Sequence, residues 1–230
     1  MQLDIGRSVT YPLDDSGWFR KLIVLFIIGF VPGLNLIAWS GYALSVARNL
    51  GRADDTPLPE WSNWVEITLR GFLSLGATAL YMLPVMLGLV ALSGDSGLSR
   101  IIGTLAVIVY FLSANYLLTI GHLRYAQTDQ AYHYTALFRR MDDARRKAGL
   151  FGLLYGYQML VSFLLIMLSV ILLFLFLVIV SVIFTNTSTL SIILVPVLTL
   201  GIAGYIGIIT VGFLASGYVL GSAIQTLNQS

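Results

Sequence analysis

The chain contains no cysteine, which excludes disulfides, thiolate metal sites and cysteine nucleophiles and leaves the redox compartment undecided. Charge is nearly as scarce. Only 10% of residues are Asp, Glu, Lys or Arg, where a soluble domain carries about a quarter. Beyond Lys147 the 230-residue sequence has none at all. A charge-free run of that length cannot face water, so a multi-pass membrane protein is expected. The 2 histidines, His122 and His133, are far apart and lack an H-E-x-x-H pattern, so no metal site is expected. No phosphate loop or triad spacing is present, and the acidic residues are confined to loops and interfacial segments. Enzymatic chemistry and a cofactor are therefore not expected. Nor does any long apolar run carry an ionisable residue at its centre, as proton-coupled transport and voltage sensing usually require.

What remains is an apolar chain, 57% hydrophobic with a mean hydropathy of +0.87. About 20 apolar residues cross the hydrocarbon core, and four segments meet that length: 71–92, 101–121, 150–184 and 192–224. The fold class expected is an all-α integral membrane protein, a single polytopic helical bundle over 1–230. Pro84 and Pro196 would kink or cap their helices, which neighbouring helices can tolerate. The polar start, "MQLDIGRSVTYPLDDSGW", lacks the features of a cleaved signal peptide and is expected to be retained.

Residues 22–48 are less simple. Pro32 and Gly33 interrupt the run, with Asn35 just after, and each arm alone is short for a crossing. Basic residues flank both ends. If the segment re-enters and returns, about 12 of the 13 basic residues share one side; if it spans, about 9 do. The re-entrant hairpin is expected. It puts 1–21, 49–70, the basic segment 122–149 and both termini in the cytoplasm, and the uncharged loop "TNTSTLS" outside. Pro32, Gly33 and Asn35 form a candidate break or binding site, because broken helices bind solutes through freed backbone groups.

Two cytoplasmic segments read as interfacial. In "DDTPLPEWSNWVEITLRGF", Pro59 suits a first helical turn, Glu60 complements the helix dipole and the Trp pair suits the headgroup level. An elbow helix is expected there, with Leu58, Pro59, Glu60, Trp61 and Trp64 as candidate partner contacts. In 124–148, Tyr134, Leu137, Phe138, Met141 and Ala144 share helical spacing. Arg139, Arg140, Arg145, Arg146 and Lys147 beside them are candidate anionic-lipid contacts. The membrane accounts for this charge, so no nucleic-acid partner is expected. Asn35, Asn115 and Gln158, polar within apolar runs, read as interhelical hydrogen-bond formers, and His122 as a residue where a helix leaves the membrane. "SGYAL" at 40–44 is echoed by "SGYVL" at 216–220, and Gly201, Gly204 and Gly207 suit close helix packing.

The succession "YPLDDSGWFRKL", "PGLNLIAWSGYALSVARNL", "LPEWSNW", "ALYMLPVMLG" and "RYAQTDQAYHYTALFRRM" resembles an uncharacterised prokaryotic membrane family, domain of unknown function number four thousand and thirteen. The resemblance runs from Tyr11 to Arg140 and is most specific at Leu58, Pro59, Glu60 and Trp61. It implies a multi-pass protein of a bacterial or archaeal cytoplasmic membrane and brings no activity. The leading expectation is an accessory or scaffolding subunit that packs against another membrane protein or itself. A small transporter or channel built on the Pro32–Gly33 break, and a lipid-binding or membrane-remodelling protein, are the alternatives.

Overall fold

The structure, a computed structural model, describes residues 5–54, 56–93, 97–184 and 190–228. Among them it is all helix and turn. In order these are α1 (Ile5–Thr10), α2 (Trp18–Ile28), α3 (Leu34–Gly51), α4 (Trp64–Leu92), α5 (Leu98–Thr128), α6 (Leu137–Arg146), α7 (Ala148–Phe184) and α8 (Leu190–Asn228). Short 3-10 turns at Tyr11–Asp14, Trp61–Asn63 and Ala131–Tyr134 link them. Among the described residues three stretches are long and apolar enough to cross a membrane: Trp61–Leu92, Leu98–Thr128 and Gly201–Asn228. They mark this as a helical membrane protein. The expected loop "TNTSTLS" falls mostly on 185–189, outside the described residues.

The α2–α3 break falls where Pro32 and Gly33 place it. Helix α2 ends at Ile28, and Gly33 turns the chain at φ 83°, a value open to glycine without strain. Asn35 Nδ2 ties the turn by donating to Gly29 O at 3.2 Å. Both ends of this segment then meet the same short stretch of chain. Lys21 Nζ donates to Leu58 O at 3.0 Å, and Asn49 Nδ2 to Pro57 O at 3.4 Å. The arms therefore double back and finish beside each other.

Helix α3 is the centre of the bundle, packed most extensively against α8 and α4. Close approach needs small residues at the crossings. Gly41 lies against the backbone of Ile67 and Gly71, and Gly71 against that of Ile37 and Gly41. On the α8 side, a Cβ on Gly217 would come 2.6 Å from Ala43 O, and one on Gly221 2.6 Å from Leu50 Cβ. The two echoed Gly-Tyr pairs thus serve different contacts of one helix stack. Tyr42 stacks on Trp61 and Tyr218 on Tyr11.

Two expectations about the interfacial helices are corrected. No separate elbow helix precedes the span: the 3-10 turn at Trp61–Asn63 feeds directly into α4, which runs unbroken to Leu92 through Pro84. Nothing between Trp64 and Gly71 breaks a helix, and Gly71 packs against the backbone of α3. The segment 124–148 is likewise not one helix. α5 continues to Thr128, Asp129 turns the chain at φ 61°, and the helix resumes only at Leu137.

The ends of α3, α5, α7 and α8, with α1, α6 and the start of α4, gather at one end of the bundle. Gln225 Nε2 donates to Leu50 O at 2.6 Å, Ser8 Oγ lies 2.7 Å from Tyr157 Oη, and Tyr11 Oη donates to Leu214 O at 3.2 Å. Of the 13 basic residues only Arg100, which donates to Ser93 O at 3.2 Å, sits at the far end.

Candidate functional site: a half-open cavity between five helices

Residues of five helices line a half-open cavity of about 280 Å³. Ser40, Ala43 and Leu44 face it from α3; Ser74, Leu75 and Thr78 from α4; Asn115, Leu118, Thr119 and His122 from α5. Helix α7 adds Tyr155, Gln158 and Met159, and α8 adds Phe213, Ser216 and Leu220. Spacing explains the convergence. Residues 115, 119 and 122 stand at i, i+4 and i+7 and share one helix face, as do 74 and 78 on α4.

Hydrogen bonds across the cavity wall hold these side chains. Thr119 Oγ1 donates to Gln158 Oε1 at 2.9 Å, joining α5 to α7. His122 Nε2 and Ser74 Oγ are 3.0 Å apart, joining α5 to α4. Asn115 Nδ2 donates to Phe111 O at 2.9 Å, and Tyr155 Oη to Leu112 O at 3.1 Å. The expectation that Asn115 and Gln158 bridge helices holds for Gln158, whereas Asn115 bonds within its own helix. His122 faces this cavity. Ser74, Thr119 and Ser216 were not singled out from sequence. Their signal was a run of small polar residues on one helix face, visible only once the facing helices are known.

Two buried arginines lie near the cavity without lining it. Arg140, grouped by sequence with the lipid-facing cations, is 1% exposed. Its guanidinium donates to Leu117 O at 3.1 Å, to Tyr134 O and to Tyr81 Oη, and lies 5.0 Å from the Tyr81 ring centroid. It therefore serves the fold, because a buried guanidinium must spend its donors on fixed oxygens. Beside it, Arg70 donates to Ser45 Oγ at 2.9 Å and pairs with Glu66 and Asp129, and Arg48 also pairs with Asp129.

Of the elbow residues, Leu58 is 1% exposed and Pro59 is buried, both against this chain's own helices. Tyr42 Oη donates to Pro59 O at 3.3 Å and Trp61 Nε1 to Lys21 O at 2.8 Å. Buried Lys21 bridges Asp15 at 2.8 Å and the exposed Glu60 at 2.7 Å. Burial disfavours its charge, and the two carboxylates outweigh that, so its ammonium pKa stands above the ordinary value. The stretch is an internal clasp that closes the α2–α3 hairpin, leaving Glu60 and Trp64 exposed. Pro32 and Gly33 are exposed at the turn and do not line the cavity. Arg139, Arg145 and Arg146 are exposed; Arg139 also lies 5.9 Å from the Tyr132 ring centroid.

Residues 21–133 match the family model described as "Protein of unknown function (DUF4013)". No curated protein and no solved structure matches the chain. The matched segment starts at Lys21, the centre of the clasp, and takes in most of α2 and all of α3, α4 and α5. It contributes Ser40, Ser74, Asn115, Thr119 and His122 to the cavity, while Tyr155, Gln158 and Ser216 come from helices beyond it.

Proposed function

We propose that this protein is a non-enzymatic, multi-pass protein of a bacterial or archaeal inner membrane that takes a small solute into its helical bundle, as a transporter or channel does. One observation carries this reading: polar side chains from five helices converge on one cavity. Thr119–Gln158 and Ser74–His122 bond helix to helix, and the space left between these polar groups is what supports a solute site. The site is this cavity and not the Pro32–Gly33 break. The grouping of all basic residues but Arg100 at one end supports a cytoplasmic location for that end and for both termini. The hairpin closed by Lys21 supports re-entry of 22–48.

Proteoliposomes of the purified protein test the reading. Flux of at least one of glycerol, urea, phosphate or potassium ion above protein-free vesicles is expected, reduced by Thr119→Val and by Gln158→Leu. No flux of any of the four, from protein with an intact melting transition, overturns it.

A second reading, an accessory subunit or self-associating scaffold, is favoured by the glycines of α7. Gly149, Gly152 and Gly156 share one face and meet nothing of this chain within 4 Å, unlike Gly41 and Gly71. Small residues on an open face suit the close approach of another helix. Extraction into native nanodiscs followed by mass spectrometry distinguishes the two. A stoichiometric membrane partner, or a homo-oligomer lost on Gly152→Leu, supports the scaffold; a monomer with lipid alone counts against it.

A further inference from the structure

We infer that the cavity selects a small, uncharged, hydrogen-bonding molecule, one bearing hydroxyl or amide groups, over any ion. The inference rests on the solute-site reading and goes further by naming the class of ligand. Its basis is the makeup of the wall. Among the residues lining the cavity there is no Asp, Glu, Lys or Arg. An ion entering here would leave its hydration shell and meet no opposite charge, a loss of several kcal/mol.

The neighbouring charges are committed elsewhere. Arg140 stands behind the wall, where Nη1 and Nη2 donate to Leu117 O, Tyr134 O and Tyr81 Oη and Nε is buried without a partner. Arg70 is held by Ser45, Glu66 and Asp129. Neither lines the cavity, so neither supplies a counter-ion to an anion within it.

A wholly apolar ligand fits no better, because it would meet Asn115 Oδ1 and Gln158 Nε2 without pairing them. Thr78 Oγ1 gives its proton to Ser74 O at 2.9 Å, which leaves oxygen lone pairs as acceptors. Asn115 and Gln158 present amides, with both donors and acceptors. Among these groups Ala43, Leu44, Leu75, Leu118, Phe213 and Leu220 offer apolar surface. The complement of such a wall is a compact molecule with hydroxyl or amide groups on a short carbon frame. The volume, about 280 Å³, lies at the small end of ligand cavities, which run from roughly 300 to 1,000 Å³.

The absence of native cysteine makes a protection experiment direct. Thr119→Cys and Ser216→Cys, on different helices, are each reconstituted in nanodiscs and treated with the neutral reagent 2-hydroxyethyl methanethiosulfonate. The lipid-facing Ala79→Cys is the control for reagent arriving through the bilayer. Labelling is followed by mass in the presence of excess glycerol, acetamide, phosphate or choline. Glycerol or acetamide is expected to slow labelling at both cavity positions by at least about twofold, as when half of the sites are filled. Ala79→Cys is expected to be unaffected, and phosphate and choline to protect nowhere. Protection by phosphate or choline instead overturns the ligand class while leaving a solute site in place. No labelling at either cavity position, or protection by none of the four in variants that melt normally, overturns both.

Discussion

The tightest point of the fold is the crossing of α3 and α4, and Gly71→Ala is the substitution that tests it. A Cβ at Gly71 would overlap the carbonyl of Ile37 and lie 3.0 Å from Gly41 N. Ordinary contact begins near 3.4 Å, and the obstructing atoms are backbone, so no rotamer change relieves the clash. The two helices must separate, and overpacking of this kind costs about 1–3 kcal/mol, more when the obstruction cannot move. Gly76, on the same helix, meets nothing within 4 Å. There Gly→Ala meets no obstruction and gains helix propensity, up to about 1 kcal/mol. The two variants are expected to differ by about 2–4 kcal/mol, with Gly71→Ala the less stable. Thermal unfolding of both in one detergent, followed by circular dichroism, should show a gap of at least about 4 °C. If Gly71→Ala melts with or above Gly76→Ala, the backbone contact between α3 and α4 does not exist.

The clasp gives a second test. Asp15→Asn leaves buried Lys21 with only the exposed Glu60 and one carbonyl, and a loss of about 3 kcal/mol is expected. Adding Lys21→Met should recover much of it, and a single-variant loss within error of zero would refute the clasp. The third concerns pH. His133 is 6% exposed, and burial with the nearby Arg124 and Arg139 holds its pKa below the ordinary 6.5, Asp143 opposing weakly. The unfolded chain therefore takes up this proton first. Stability is expected to be constant above about pH 6.5 on this account and to fall as pH drops from 6.5 toward the lowered value. His133→Gln should flatten that part of the melting-temperature profile, and an unchanged slope would remove His133 as its source. Topology is the fourth. Ser16→Cys and Ser93→Cys place exposed thiols at opposite ends of the bundle. An impermeant thiol reagent on intact cells should label Ser93→Cys and should reach Ser16→Cys only after permeabilisation; the reverse pattern would invert the protein.

Much of this was legible before any coordinates. The charge-free stretch after Lys147 dictates membrane helices, because no arrangement of neighbours lets such a run face water. Pro32 and Gly33 dictate the break between α2 and α3, because backbone restrictions are local. The motif centred on Leu58–Trp61 pointed to the family. Partnership was not legible. Hydropathy says that a residue lies within a helix and not which helix it meets, so Ser74, Thr119, His122, Gln158 and Ser216 gave no sign of sharing a cavity. Arg140 looked like its neighbours Arg139 and Arg145, and only the fold of α6 onto α5 turns it inward to the carbonyl of Leu117. Leu58 and Pro59, apolar at an interface, looked free for a partner until Tyr42 and Lys21 claimed them. Composition and local backbone chemistry settle what kind of protein this is and where its chain breaks. The pairing of helix faces far apart in sequence determines which side chains confront one another, and the cavity arises from that pairing.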